Sequence, residues 1–157
     1  MRCIAYTDGS YCEGLNARNE VVKAYGMGVY LKYEDIDEPE EISWGGSVED
    51  FMRHRNITGE CVAVMGLFSR LEELYPKYNE VDLYFDLAGL EHWVSRKWEA
   101  NKPLTRLYRD FMWEMVKKYK INFHNILGHT GIILNERVDS LAKRGAKDEL
   151  SKLGAVR

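Results

Sequence analysis

Cys3-Ile4-Ala5-Tyr6-Thr7-Asp8-Gly9-Ser10 runs strand-forming residues into a carboxylate, a glycine and a hydroxyl. Such a run reads as a buried strand that ends where Asp8 meets solvent. One acid at a strand end binds little. Glu60, Asp86 and Asp139 each fall at the boundary of an expected element, so a fold that gathers those boundaries assembles four carboxylates into one divalent-metal site.

The residues beyond this strand predict the rest of an α/β domain. Tyr11 to Val22 reads as a long polar connection. Alternation from Ala24 then puts Tyr25, Met27, Val29, Leu31 and Tyr33 on one face of a second strand and Gly26 and Gly28 on the other, where a neighbour can approach closely. An acidic turn follows (Glu34, Asp35, Asp37, Glu38, Glu40, Glu41), and Glu41 to Trp44 supplies a third strand of an antiparallel meander.

Asn56 to Gly59 signals a helix start, and Cys61, Val64, Met65, Phe68 and Leu71 follow at amphipathic spacing, which puts Glu60 in the first turn. Val81 to Phe85 is a short buried strand ending at Asp86. Helices are expected over Gly89 to Glu99 and Leu104 to Tyr119, a last strand over Ile121 to Leu127, a loop at Gly128-His129-Thr130-Gly131, and a final helix N-capped by Asn135. The order β-β-β-α-β-α-α-β-α predicts a five-stranded mixed sheet, its first three strands antiparallel, flanked by helices within one domain over 1–157. In open sheets of this kind, sites form where connections diverge beyond strand ends.

Composition narrows the function. The chain has 157 residues, 45% of them apolar, with aromatics throughout, which suits one domain with a real core. Cys3, Cys12 and Cys61 form no CxxC pair, so neither a disulfide framework nor a thiolate zinc site is indicated, and the cytoplasm is the expected compartment. No apolar run approaches a membrane span. The net charge of −3 argues against a protein that coats nucleic acid, but the charge is polarised: Arg96, Lys97, Lys102, Arg106, Arg109, Lys117, Lys118 and Lys120 concentrate positive charge far from the acidic turn.

Each acid alone has an ordinary explanation in turn chemistry, a helix dipole or an exposed strand end. Together, in order and in setting, they resemble the type 1 ribonuclease H family, of the bacterial or phage-like ribonuclease HI kind. The signatures are Tyr6-Thr7-Asp8-Gly9-Ser10, Asn56-Ile57-Thr58-Gly59-Glu60, Asp86, and Gly128-His129-Thr130-Gly131 with Asn135-Glu136-Arg137-Val138-Asp139. His92-Trp93 through Trp98 and Asn101 to Arg109 are similar to the Trp-bearing helical segment of bacterial members.

The resemblance implies a ribonuclease H-like fold and a metal-dependent endonuclease that cuts the RNA strand of RNA–DNA hybrids, leaving 5'-phosphate and 3'-hydroxyl ends. It implies two Mg²⁺, with Mn²⁺ as a substitute, held by Asp8, Glu60, Asp86 and Asp139, and His129 as a helper in water handling or product release. Gly9, Ser10, Asn56 and Glu60 would meet the RNA minor-groove edge, and Asn135 would orient His129 or water. Ile57 departs from the family's second Asn and removes one polar contact.

Leu104, Leu107, Tyr108, Phe111, Met112, Met115 and Tyr119 form the expected core face of their helix, and Arg106, Arg109, Trp113, Lys117 and Lys120 the face offered to the duplex, with Trp93 and Trp98 as alternative aromatics against the DNA sugar. A monomer without an obligatory protein partner is expected. Two rivals stand beside this: a nuclease of the same fold acting on DNA or junctions, and a non-catalytic hybrid-binding module.

Overall fold

A computed structural model describes residues 1–47, 54–126 and 133–157. Five strands form one mixed sheet: β1 (Arg2–Leu15), β2 (Val21–Tyr33), β3 (Glu40–Gly46), β4 (Glu80–Phe85) and β5 (Lys120–Asn125), in the order β3-β2-β1-β4-β5. The first three pair antiparallel, while β4 pairs parallel with both β1 and β5. Among the described residues there are four helices: α1 (Asn56–Glu72), α2 (Gly89–Ser95), α3 (Pro103–Lys118) and α4 (Ile133–Lys152). No described helix is long and apolar enough to cross a membrane.

The sheet divides helices by its alternation. Cys3, Ala5, Val81, Leu83 and Phe85 point to one side and join Val64, Leu67, Phe68 and Leu71 of α1 and Leu104, Tyr108 and Met112 of α3 in the main core. α4 crosses the other side over β2, β1 and β3. The glycine face expected of β2 is where it rests: a Cβ on Gly28 would stand 2.2 Å from the Val138 carbonyl oxygen, so only glycine lets the helix backbone settle there.

Several expected boundaries move. Residues 11–22 are not a long connection: Tyr11 to Leu15 extends β1 and pairs with Val21 to Tyr25, leaving only a short turn in which the Asn16 side chain accepts hydrogen bonds from the Arg18 and Glu20 amides. Pairs such as Glu13 with Lys23 make polar residues good strand partners. α2 stops at Ser95 because Arg96 turns left-handed (φ 67°). Leu107 is exposed rather than core, and Lys120 opens β5 rather than extending the face of α3. Asn135 is not a cap: Ile133 and Leu134 already lie in α4, and Asn135 is buried within its first turn. Leu127 and the Gly128-His129-Thr130-Gly131 loop lie outside the described residues.

Candidate metal centre and nucleic-acid interface

Asp8 sits in the middle of β1, not at its end. What opens the sheet beside it is the partner strand: the β1/β4 ladder closes at the Tyr6–Tyr84 row, β4 ends at Phe85, and Asp86 follows at once. Asp8 and Asp86 therefore flank the place where two parallel strands part, the usual location of a site in an open α/β sheet. Glu60 is the fifth residue of α1, past its first turn, and Asp139 lies in the second turn of α4. The helix termini therefore do not account for either acid.

Glycine packing delivers Glu60 to Asp8. A Cβ on Gly9 would lie 2.1 Å from the Glu60 amide nitrogen and 2.3 Å from the Gly59 carbonyl carbon, so β1 and α1 touch backbone to backbone. Both acids are buried, with Asp8 5% and Glu60 8% exposed. Burial pushes the Glu60 carboxyl well above the usual range, and the adjacent Asp8 charge adds to this. Asp8 is also raised by burial, with smaller contributions from Asp139 and Asp86, while hydrogen bonds from Glu60 and from the Gly9 amide (2.8 Å) oppose the rise. Burial therefore disfavours charge on both members of the pair, and most strongly on Glu60. The second Glu60 oxygen, Oε2, is buried without a hydrogen-bond partner.

Asp86 and Asp139 are partly exposed. Lys143, one helical turn beyond Asp139, approaches it at 2.9 Å and also feels Asp8, so its ammonium stands against the acidic cluster. Sequence reasoning missed Lys143, although its i,i+4 spacing from Asp139 was the available signal.

Among the described residues, no three His, Cys, Asp or Glu side chains already converge as an ion-holding group. The donor set nevertheless fits a hard divalent cation: it is all oxygen, one buried carboxylate oxygen is orphaned, and the buried pair resists carrying charge without a compensating cation. Beside the acids, Asn56, Ile57, Glu60, Asp86 and Leu87 line a notch of about 200 Å³. Asn56 is exposed at the start of α1, Ile57 is half-buried, and Leu87 adds an apolar wall that the sequence did not single out.

The basic and aromatic residues gather at the α2–α3 joint. Trp93, Arg96, Trp98, Ala100, Arg109 and Trp113 are among the residues lining a cleft of about 390 Å³. The Trp113 ring lies between the Arg96 and Arg109 guanidinium groups, at 4.5 and 4.7 Å, and its indole N–H donates to the Val94 carbonyl at 3.0 Å. Trp93 packs edge-on against Tyr108 in the core, leaving Trp98 as the exposed indole. Arg106 is exposed on α3, Arg109 pairs with its neighbour Asp110 at 2.9 Å and Lys117 with Glu114 at 3.1 Å, and it is Arg96 and Arg109 that stand at the aromatic cleft. Arg96 was not among the expected contacts.

The RNase H family model matches residues 1–147. The chain belongs to the RNase H family. It is 31% identical to a ribonuclease H of Brucella anthropi, over 92% of this chain and 89% of that protein. It is 27% identical to ribonuclease HI of Pseudomonas aeruginosa, over 92% and 93%. In fold it is similar to RNase H1 of the halophilic archaeon Halobacterium salinarum (TM-score 0.68, 20% identity, 94% and 99% covered) and to LC11-RNase H1, solved in complex with an RNA/DNA hybrid (TM-score 0.70, 18% identity, 94% and 99% covered). The five-stranded fold expected from the sequence is this family's.

Proposed function

We propose that this RNase H is an endonuclease that hydrolyses the RNA strand of RNA–DNA hybrids with divalent-metal assistance, leaving 5'-phosphate and 3'-hydroxyl ends. The observation that carries the proposal is the buried Asp8–Glu60 pair, with its orphaned oxygen, flanked by Asp86 and Asp139 at the parting of β1 and β4. A solvated acidic surface would have no reason to bury two carboxyls together at a cost in free energy. The relatives' names and the hybrid-bound LC11 structure support the substrate class.

Asp8, Glu60, Asp86 and Asp139 would hold two Mg²⁺, or Mn²⁺ in their place, which when bound supply an activated water and stabilise the leaving oxygen. Glu60 would serve as a ligand once a cation compensates its charge, and Asp139 would be released from the Lys143 ammonium to do the same. Gly9 and Ser10 offer backbone and hydroxyl groups to the RNA edge, Asn56 reaches the same edge across the notch, and Asn135, buried in the first turn of α4, would orient His129 or water. His129 serves as a helper in water handling or product release, a role that rests on the sequence resemblance alone. Trp98, Arg106 and Arg109, joined by Arg96, grip the DNA strand through sugar and phosphate contacts. Ile57 and Leu87 make the notch less polar, so fewer hydrogen bonds read the 2'-hydroxyls.

The test is cleavage of end-labelled duplexes of one sequence, as RNA–DNA, RNA–RNA and DNA–DNA, with Mg²⁺, Mn²⁺ or chelator. Cutting confined to the RNA of the hybrid and dependent on metal is the expected result. Cutting of DNA would favour the sister nuclease instead, and tight hybrid binding without cutting by any metal would favour the binding module.

A further inference from the structure

On the sheet face that carries Asp8 and Asp86, the next row of side chains toward the strand starts is aromatic across four strands. Tyr30, Tyr6, Tyr84 and His124 stand opposite one another in register on β2, β1, β4 and β5. Tyr6 and Tyr84 stack at 4.5 Å with 7° between their planes, and Tyr84 and His124 at 4.5 Å with 15°, while Tyr30 meets Tyr6 edge-on at 6.3 Å. The repeat is set by the spacing of neighbouring strands. Such a stack turns ring edges, not ring faces, outward. The Tyr6, Tyr30 and Tyr84 hydroxyls have no partner among the described hydrogen bonds and are not sealed from solvent.

α4 rests on Gly28, Gly26 and Gly45, at the level of Asp8 and beyond, and its Arg137 reaches the β3 end of the row at Glu41. No ring contact or hydrogen bond among the described residues joins α4 to Tyr6, Tyr84 or His124. Ile4, one row further back, is 38% exposed. Among the described residues nothing covers this half of the face. The stack also has one ring face that is unused among the described residues: β5 is an edge strand, the side chain of His124 is 42% exposed, and its one described stacking partner is Tyr84.

The charges around the row favour a polyanion. Around the row and behind it, the strand carboxylates are already engaged: Glu80 by Arg2 (2.7 Å) and Asn122 (3.1 Å), Asp82 by Asn122 (3.0 Å) and His124 (3.2 Å), and Glu41, which stands beside Tyr30 on β3, by Arg137 (3.0 Å). Arg2, Lys32, Lys120 and Arg137 supply four cations against these three acids, and Lys120 keeps 73% of its side chain exposed beside β5.

We propose that this aromatic row is a docking track for an unpaired tail of the RNA strand continuing out of the catalytic site, with one base stacked on the outer face of His124. Tyrosine hydroxyls and the Asn122 amide line the track as hydrogen-bonding groups, and Lys120 neutralises the tail's phosphate. The combination of a stacking face, hydroxyl edges and a nearby cation is what single-stranded nucleic acid requires, and it is sequence-tolerant because every base has a π-face. The inference rests on the hybrid-cleaving reading above, since continuity with the metal centre selects nucleic acid over other occupants.

The experiment uses the full chain with Asp86→Asn, which blocks cleavage. Fluorescence anisotropy compares a blunt RNA–DNA hybrid with the same hybrid carrying an unpaired RNA tail at either end. One tailed hybrid should bind roughly fivefold or more tighter than the blunt one, the gain expected of a single stacked base. His124→Ala and, separately, Tyr84→Leu should each remove most of that gain while blunt-hybrid affinity stays constant. Unchanged blunt affinity also shows that the variants fold. No gain from either tail, or a gain that survives both substitutions, overturns the track. Failure to bind the blunt hybrid at all would instead sink the hybrid reading itself.

Discussion

Gly9→Ala places the heaviest demand on the geometry. The added Cβ would stand 2.1 Å from the Glu60 amide nitrogen, whereas ordinary contact begins at 3.4 Å, so β1 and the start of α1 must separate by 3.4 − 2.1 = 1.3 Å. The opposing atoms are backbone, not the tip of a flexible side chain, so the strain cannot be shed by a rotamer change. Overpacking of this kind costs about 1–3 kcal/mol, which for a chain of this size lowers the melting temperature by roughly 2–4 °C per kcal/mol. The effect on activity should be larger. Metal–ligand distances tolerate about 0.2 Å, and a misplacement near 1 Å costs on the order of 100-fold in rate. Initial rates on a labelled hybrid and thermal melts of the same preparations check both numbers. A cycle with Glu60→Gln isolates the cause: if Gly9→Ala acts by displacing Glu60, the double variant is scarcely slower than Glu60→Gln alone. A Gly9→Ala protein that keeps its rate within a few-fold and its melting temperature would refute the claim that backbone contact positions this acid.

Glu60→Gln should abolish turnover yet raise the melting temperature in chelator, because a neutral amide replaces a buried carboxyl that resists ionisation. A carboxyl whose folded pKa stands above its unfolded value of 4.5 stabilises fully below that pH and loses the contribution as pH rises through the folded pKa. Calorimetry in chelator should therefore show the parent losing stability above about pH 4.5, a flatter profile for Glu60→Gln, and recovery of the parent with Mg²⁺. Lys143→Met removes a half-exposed ion pair, so stability should change by under about 1 kcal/mol, while Mn²⁺ should bind more tightly by titration calorimetry; unchanged or weaker binding would show that the ammonium does not compete. Arg96→Ala with Arg109→Ala should weaken hybrid binding and reduce its log–log salt slope by about 2, and an unchanged slope would place the phosphate grip elsewhere.

The sequence revealed the strands and helices with long apolar periods, because burial on one side leaves a pattern in the chain itself. Its failures share a cause. The extension of β1 past Asp8 is made by cross-strand pairing of Tyr11 to Leu15 with Val21 to Tyr25 of β2, and the polar residues there leave no apolar alternation to mark a strand. Asp8 was read as a strand end because Gly9 and Ser10 look like punctuation. Gly9 is in the strand for another reason, the backbone of α1 against it. The four acids were legible as a set only through the resemblance, since just Asp86 truly falls at an element boundary. Lys143, Leu87 and the Arg96–Trp113–Arg109 sandwich emerge from tertiary contact and leave weak periodic traces.

The site manages four acids by unequal means, and the inequality follows from where the fold puts each. Glu60 lies past the first turn of α1, beyond useful reach of the helix dipole. Gly9 packing also removes it from water, so burial decides and the carboxyl resists ionisation. Asp139 projects from α4 at a level where the next turn brings a lysine, and an ammonium offsets its charge instead. Asp8 leans on the Gly9 amide. Asp86, at the strand end, keeps access to water. On the proposed reading, divalent cations would compensate all four acids at once, and the protein would hold full negative charge on them only while that charge is compensated. The same backbone contact that makes the pair costly would then favour a strongly charged cation, which a dispersed set of surface acids would not.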